Sequence, residues 1–335
     1  MRKRAERGER ARAGGRRGQP LWAAHTPVMR VKDVMVYPVK SCCGISCGTK
    51  GALVERTGLR YDRHWMVIEE KTGKMITQRK YPALALVKTE IPAEALCSAD
   101  PSVLEDQCLT VWAEGNGRAE IPLCEASGRD TPKTKRRARV WEFETEDAMD
   151  EGEEAAKFFS NILNLKARLV RFPRGARRPT EVEFAPQDAT HFSDGYPFLV
   201  AVQESLDAVN EELSSNGHLP VQMDRFRPNV VVLSGAAAFE EDRWAGLATS
   251  SGCEFALVKP CSRCTVVSVD PATGERAGRE PLSAVKTLHS GKVAGYQRKE
   301  WDAAPFFGWN CVVGDESVGR VVSAGEEARA TLRVT

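Results

Sequence analysis

The densest chemistry in this sequence lies in Lys259-Pro260-Cys261-Ser262-Arg263-Cys264. Two thiols at Cys-x-x-Cys spacing admit three chemistries. One is half of a zinc site. Zinc takes four ligands, however, and no second Cys-x-x-Cys exists, so Cys42, Cys43 and Cys47 would have to supply the rest without knuckle spacing. Another is a dithiol redox pair, but no thioredoxin-like helix follows, because Thr265–Val269 reads as a strand. The last is a single thiolate on a soft metal centre. The Arg263 guanidinium favours thiolate over thiol, and coordination removes the thiol proton outright. Spacing alone leaves these three open.

Other polar groups recur where strands begin or end. Tyr37-Pro38-Val39-Lys40-Ser41 puts a cation and a hydroxyl where a strand stops at a proline. Tyr61-Asp62-Arg63-His64-Trp65 sets an arginine at a strand start, and Phe226-Arg227-Pro228-Asn229 repeats the arrangement before an apolar run. One such cation is ordinarily a surface charge or an ion-pair partner. Several of them, gathered by the fold, would make an anion pocket in which arginine grips phosphate with two prongs and lysine acts as a point charge.

The elements that must position these groups are mostly strands. Val31–Val39 is β-rich with partial alternation, a strand stopped at Pro38. Further strands are expected at Trp65–Glu69 and Ala83–Glu90, with a turn at Lys71–Gly73, and at Asn229–Leu233, Glu254–Val258 and Thr265–Val269. Two helices are predicted. Glu151–Leu165 carries Ala155, Phe158, Phe159, Ile162 and Leu163 at helical spacing, and Glu204–Ser215 carries Leu206, Val209 and Leu213, with Gly217 placed to end it. Residues 97–140 read as irregular, closing on a basic run, Lys133–Arg139, taken as a solvated loop. Short strands with few helices predict a mainly β fold with helices (α+β), a barrel with appended helices. No internal repeat and no glycine-rich phosphate loop is present.

Composition narrows the partners. The 335 residues are 42% apolar and 28% charged, an ordinary globular balance, and 48 basic against 46 acidic residues leave a net charge of +2. Much of the basic excess sits in the first 30 residues, so a nucleic acid partner is not expected. Ten cysteines at uneven spacing read as reduced thiols rather than a disulfide framework. No apolar run is long enough to cross a bilayer, and the chain reads as soluble. Residues 1–27 are arginine-rich without an apolar core, which predicts a disordered basic tail rather than a transit peptide, and a cytoplasmic location with a mitochondrial one as alternative.

Taken in order, Tyr37-Pro38-Val39-Lys40-Ser41, Asp62-Arg63-His64-Trp65 with Gln78-Arg79, Phe192-Ser193-Asp194-Gly195-Tyr196-Pro197, Arg225-Phe226-Arg227-Pro228-Asn229 and Cys261-Ser262-Arg263-Cys264 with Val269-Asp270-Pro271 and Gly274 resemble the MOSC family. Within it they resemble the amidoxime reducing components, over about residues 31–330. The resemblance implies a MOSC-associated β domain over 28–135 and a MOSC β-barrel domain over 136–335. It implies a molybdenum–molybdopterin cofactor with Cys264 as the metal's thiolate. Ser262 and Arg263 then match pterin contacts, and Lys40, Ser41, Arg63, Arg227 and Asn229 match phosphate- and pterin-binding positions. Asp194 matches an acid beside the metal, a proton relay, followed by Gly195 and Tyr196 where animal members carry Thr-Ser. Cys261 matches a position not assigned to the metal and is expected to be a packed thiol. An aromatic position after Phe307-Gly308 reads Asn310, and the animal members' anchoring helix is not found.

The implied activity is reduction of N-hydroxylated compounds such as amidoximes and hydroxylamino bases. The sequence has no nucleotide fingerprint and no Cys-x-x-Cys-His haem motif. Electrons are therefore expected from a partner, and the resemblance points to cytochrome b5 and its NADH-dependent reductase. Two rivals differ in class. A non-catalytic molybdenum cofactor carrier would bind the same group without turnover. A cofactor sulfurase would need a long pyridoxal-phosphate domain, for which the stretch before Val31 leaves no room.

Overall fold

The computed structural model describes residues 29–124, 134–276 and 278–334. The basic tail expected over 1–27 lies outside the described residues. Strand β1 (Met29–Val36) follows the predicted alternation, burying Met29, Val31, Val34 and Val36. β2 (Trp65–Glu69) buries Trp65, Met66, Val67 and Ile68, as a strand covered on both faces must. After it, β3 (Lys135–Val140) and β4 (Phe143–Asp150) form a hairpin, α1 (Glu153–Leu163) packs Phe158 and Phe159 inward, and β5 (Ala167–Arg171) returns beside β2. The second half runs β6 (Phe198–Val202), α2 (Gln203–Ser215), β7 (Val230–Leu233), β8 (Trp244–Thr249), β9 (Glu254–Ser262), α3 (Leu282–His289), β10 (Phe306–Val313) and β11 (Glu327–Leu332).

Seven of these strands close a barrel in the order β7-β6-β10-β9-β8-β11-β1, sealed by antiparallel pairing of β1 with β7. Only β6 and β7 run parallel, joined by α2 as the crossover that such a pair needs. The expected mainly β fold with a MOSC-type barrel and an N-terminal β domain is what forms. A four-stranded sheet, β2-β5-β4-β3, and a three-stranded sheet of Lys88–Glu90, Cys108–Ala113 and Gly117–Pro122 lie outside the barrel. One buried cluster runs through Val31, Trp65, Phe159, Phe255 and Cys311, so barrel and outer sheets share a core. Among the described residues no helix is long and apolar enough to cross a membrane.

Three local expectations need correction. The basic run ending at Arg139 is not a loop from Lys135 onward. It is β3, with Ala138 and Val140 buried and the exposed Lys135 and Arg137 paired to Asp147 and Glu144 on β4. The stretch Ala83–Glu90 divides into a 3-10 turn at Pro82–Leu86 and a strand only at Lys88–Glu90, since Pro82 favours a helical first turn. Thr265–Ser268 is a 3-10 turn, while β9 runs on to Ser262. Both predicted helices form, and Gly217 takes a φ of +75° just past the Asn216 cap of α2. Gly73 closes its turn at φ +68°, where a Cβ would meet the Arg137 carbonyl oxygen at 2.5 Å.

Candidate functional site: a cationic cleft with one exposed thiol

Three turns deliver the cations. The loop after β1 carries Lys40 and Ser41, the turn before β2 carries Arg63, and the turn before β7 carries Arg227. Ser41, Arg63 and Arg227 have φ of +72°, +45° and +56°. A non-glycine residue enters that region at a cost of about 1–3 kcal/mol unless its surroundings hold it there. Here they do. Arg63 Nη1 donates to both Asp62 carboxylate oxygens (2.8 and 2.7 Å), Arg63 Nη2 donates to the Arg227 carbonyl (3.0 Å), and Arg227 Nη1 donates to the Cys42 carbonyl (2.7 Å). The Tyr37 ring lies between the two guanidinium groups, with its centroid 4.2 Å from Arg63 Cζ and 4.3 Å from Arg227 Cζ. Burial pushes the Asp62 carboxyl up, and Arg63 opposes it. Burial likewise lowers Arg227, with Arg63 adding repulsion.

The opposite wall is the end of β9. Arg263 N donates to the Pro305 carbonyl (2.8 Å), and Cys264 opens the 3-10 turn with its thiol free and exposed. Arg263 Nη2 donates to the Phe226 carbonyl (2.7 Å), and Nη1 lies 2.9 Å from Cys261 Sγ. Cys261 is therefore not the packed thiol expected. It is half-buried in the cleft wall, with the Arg263 guanidinium against its sulfur.

A third wall is the 190–196 segment. Lys40, itself buried, donates from Nζ to the Phe192 carbonyl (2.8 Å) and pairs with Asp194 Oδ1 (2.6 Å). Trp141 Nε1 also reaches Asp194 Oδ1 (3.2 Å), and Arg79 lies over the Trp141 ring (4.5 Å). Desolvation acts to raise the Asp194 carboxyl, but Lys40, Trp141 and Arg79 override it and hold the group well below the usual carboxylate range. Burial pulls Lys40 down from its ordinary value, opposed by Asp194. Asp194 is thus the ionised member of the pair, held in direct contact with Lys40 Nζ.

Lys40, Ser41, Arg63, Asp194, Gly195, Tyr196, Arg227, Asn229, Ser262, Arg263 and Cys264, the residues singled out in the sequence, all line this one cleft of about 260 Å³. Asn310 lines it too. Its charged lining is Lys40, Arg63, Arg79, Arg227, Lys259 and Arg263 against Glu181 and Asp194 only. Both acids are already paired, Asp194 with Lys40 and Glu181 with Lys259 (2.6 Å). Arg227 Nη2 and Arg263 Nε are buried with no hydrogen-bond partner. Leaving such donors unmade is costly, so the cleft is built for a polyanion. Among the described residues no group of three or more His, Cys, Asp or Glu could hold a metal ion, and Cys42, Cys43 and Cys47 do not complete a zinc site. A metal here would take its protein sulfur from Cys264 and bring its other ligands with it. These residues fit a phosphorylated, metal-bearing cofactor.

Sequence reasoning missed Arg178. It is buried, and its guanidinium donates to the carbonyls of His191 (2.8 Å), Ser193 (2.5 Å) and Asp194 (2.8 Å), fixing the segment that presents Asp194. Trp141 was missed as well, one residue past the stretch 97–140 that was read as irregular. Neither position carries a local motif.

Residues 28–166 match the family described as MOSC N-terminal beta barrel domain, and residues 187–329 match the MOSC domain. Mitochondrial amidoxime reducing component 2 of Bos taurus is 32% identical over 282 residues, 83% of this chain and 77% of that protein. Mitochondrial amidoxime-reducing component 1 of Mus musculus is 33% identical over 267 residues, covering 77% and 70%, and that of Homo sapiens is 32% identical over 290 residues, covering 83% and 77%. A molybdenum cofactor sulfurase of Anopheles gambiae is 27% identical, but this chain spans only 33% of it. With both domains matched and relatives of this similarity over most of its length, the chain belongs to the MOSC-domain family that includes the mitochondrial amidoxime reducing components.

Proposed function

We propose that this chain is a molybdenum-cofactor-dependent reductase of N-hydroxylated compounds (amidoximes, hydroxylamines and N-hydroxylated bases), fed by cytochrome b5 and its NADH-dependent reductase. The observation that carries the reading is one exposed, free thiol, Cys264, in a cleft whose buried Arg227 and Arg263 donors lack partners. The relatives' names supply amidoximes as a substrate class, and the partners rest on the family resemblance of the motifs.

In this reading Lys40, Ser41 and Arg63 grip the cofactor's phosphate, while Asn229, Ser262 and Arg263, with Arg227, hold the pterin. Cys264 is the one protein ligand to the metal. The cofactor, when bound, supplies removal of oxygen from an N–O bond with two electrons; with two protons the products are the reduced nitrogen compound and water. The chain's own residues position and protonate. Arg178 fixes the backbone at Asp194, and the Asp194 carboxylate stays ionised, with Oδ2 to accept a hydrogen bond from a substrate N–H. The Lys40–Asp194 contact gives a path along which a proton can be relayed to the substrate side. Gly195 and Tyr196 line the substrate side.

The test is metal and pterin content of the purified protein beside Cys264→Ala and Cys261→Ala, followed by reconstitution with cytochrome b5, its reductase and an amidoxime. Molybdenum near one per chain is expected, with amine formation lost in the Cys264 variant and kept in the Cys261 variant. Molybdenum without amine formation, with stoichiometric release of cofactor to an apo-enzyme, would leave only the carrier function. Zinc lost in both variants would sink the cofactor reading itself.

A further inference from the structure

The turn that presents Cys264 hangs from the start of β10, and that strand start is held from two sides. On the cleft side Arg263 N donates to the Pro305 carbonyl (2.8 Å), and Ser262 pairs with Phe306 across β9 and β10. On the other edge β6 pairs with β10 only from Cys311 to Trp309, so the Phe306 carbonyl needs a partner from elsewhere. It finds one in His289, the last residue of α3, whose Nδ1 lies 3.0 Å from the Phe306 oxygen.

His289 is buried and does not line the cleft. Its other ring nitrogen, Nε2, lies 2.8 Å from Asp242 Oδ2. Asp242 Oδ1 already accepts from the Tyr296 hydroxyl and from Trp309 Nε1, each at 2.8 Å. The Phe239 ring stacks on the imidazole, with centroids 4.1 Å apart and planes at 11°. The remaining charged and titratable groups around the ring are few. Glu241 is buried against the Ser205 hydroxyl, Arg333 Nε donates to the Asp242 carbonyl (3.3 Å), and Lys286 is exposed on the last turn of α3.

Both ring nitrogens thus face acceptors, one a carbonyl and the other a carboxylate. A neutral imidazole has a single N–H and meets only one of them, so the arrangement calls for the imidazolium. The C-terminal end of a helix favours that charge. Burial acts to lower the ring, but Asp242, the Phe306 carbonyl and Glu241 override it and raise it. When the ring loses a proton, the carboxylate keeps the remaining N–H more strongly than a carbonyl does. The Phe306 carbonyl then faces a nitrogen lone pair instead of a donor.

We propose that His289 is a positioning residue for the Cys264 turn: as an imidazolium it ties the start of β10 to Asp242 and so fixes the rung from which Arg263 and Cys264 leave β9. Proton loss from the ring frees that rung, which makes the placement of the thiol depend on a group outside the cleft. The positioning stands on these contacts alone. Its consequence for chemistry, that Cys264 is the metal's thiolate, rests on the function proposed above.

The experiment is amide hydrogen exchange on the purified protein, read residue by residue and corrected for intrinsic exchange, at about pH 6 and about pH 9, on either side of an imidazole titration. Protection of the wild-type Arg263 amide should fall about tenfold or more between the two, as loss of one hydrogen bond from a charged donor implies. Amides of β1, across the barrel, should hold theirs. His289→Gln puts its amide nitrogen where Nε2 stood and keeps only the Asp242 contact, so Arg263 should be weakly protected at both pH values. His289→Asn puts its nitrogen where Nδ1 stood and keeps the Phe306 contact, so protection should be high and flat. In the cofactor-loaded enzyme His289→Gln should lower kcat about tenfold with KM near wild type. Wild-type protection that ignores pH, a Gln variant protected like wild type at the lower pH, equal losses in β1, or an unchanged kcat would overturn the proposal. A wild type that forms no amine fails the reductase reading alone, because hydrogen exchange decides the positioning without turnover.

Discussion

Arg178→Met tests whether the Asp194 segment depends on one distant side chain. Arg178 is 7% exposed and gives its guanidinium to three carbonyls, those of His191, Ser193 and Asp194, at 2.5–2.8 Å. Burial lowers it to about 10, with Asp194 opposing, so it is still charged at neutral pH. A hydrogen bond to a charged group nets about 1.5–3 kcal/mol, and three taken singly would sum to more than the change removes, because they are lost together. Water can reach part of the exposed segment and rescue some of the freed carbonyls. The expected loss is therefore about 3–5 kcal/mol, in the range for breaking a buried charged arrangement. Arg178→Lys keeps the charge but not the fork and should recover about half. Urea unfolding at neutral pH, with equal m-values required, gives the comparison. A Met variant within about 1 kcal/mol of wild type would refute the idea that this arginine holds the segment.

Three further outcomes follow from other contacts. Burial lowers His191 from 6.5 to about 4, so between those values the unfolded chain binds more protons than the folded one. Its contribution is complete above pH 6.5 and is lost as pH falls toward 4; His191→Phe should flatten that part of the pH–stability curve, and superimposable slopes would end the argument. Glu241 behaves oppositely: burial raises it from 4.5 to about 7 despite the Ser205 hydroxyl, so stability should fall as pH rises across that window and Glu241→Gln should remove the slope. At Gly308, φ +73°, a Cβ would sit 2.6 Å from the Val200 carbonyl oxygen on the adjoining strand, so Gly308→Ala should cost about 2 kcal/mol or more in denaturant unfolding, with no change expected if β6 could simply retreat.

Much of this fold was legible because periodicity and burial coincide in it. β1 alternates, β7 is an apolar run, and α1 and α2 repeat at helical spacing. Where charge density hides the pattern, reading failed. In Lys135–Val140 the alternation survives only as Ala138 and Val140, and the basic residues find their acids on a strand not yet paired in the reader's eye. Thr265–Val269 misled in the other direction, since β-branched residues there serve a tight turn that exposes Cys264. The cleft's lining was recovered through motif order, while what steadies it was not. Arg178 and Trp141 act on Asp194 from sixteen and fifty-three positions away, and the positive φ of Arg63 and Arg227 leaves no mark in residue type.

The pairing that seals the barrel has a consequence for how the molecule comes into being. Met29 pairs with Ala328 and Arg30 with Leu233, so closure joins chain segments made far apart in time on the ribosome. Contacts so distant in sequence form late, because the loop entropy must be met before they reward it. Until then β7 and β11 each keep an open edge, the kind of surface that recruits other chains. Lys40 and Ser41 follow β1 directly, so the anion-gripping wall arrives in the same event that hides those edges. A ligand that needs the complete cleft would bind only the closed molecule, and its supply during synthesis would favour closure by mass action.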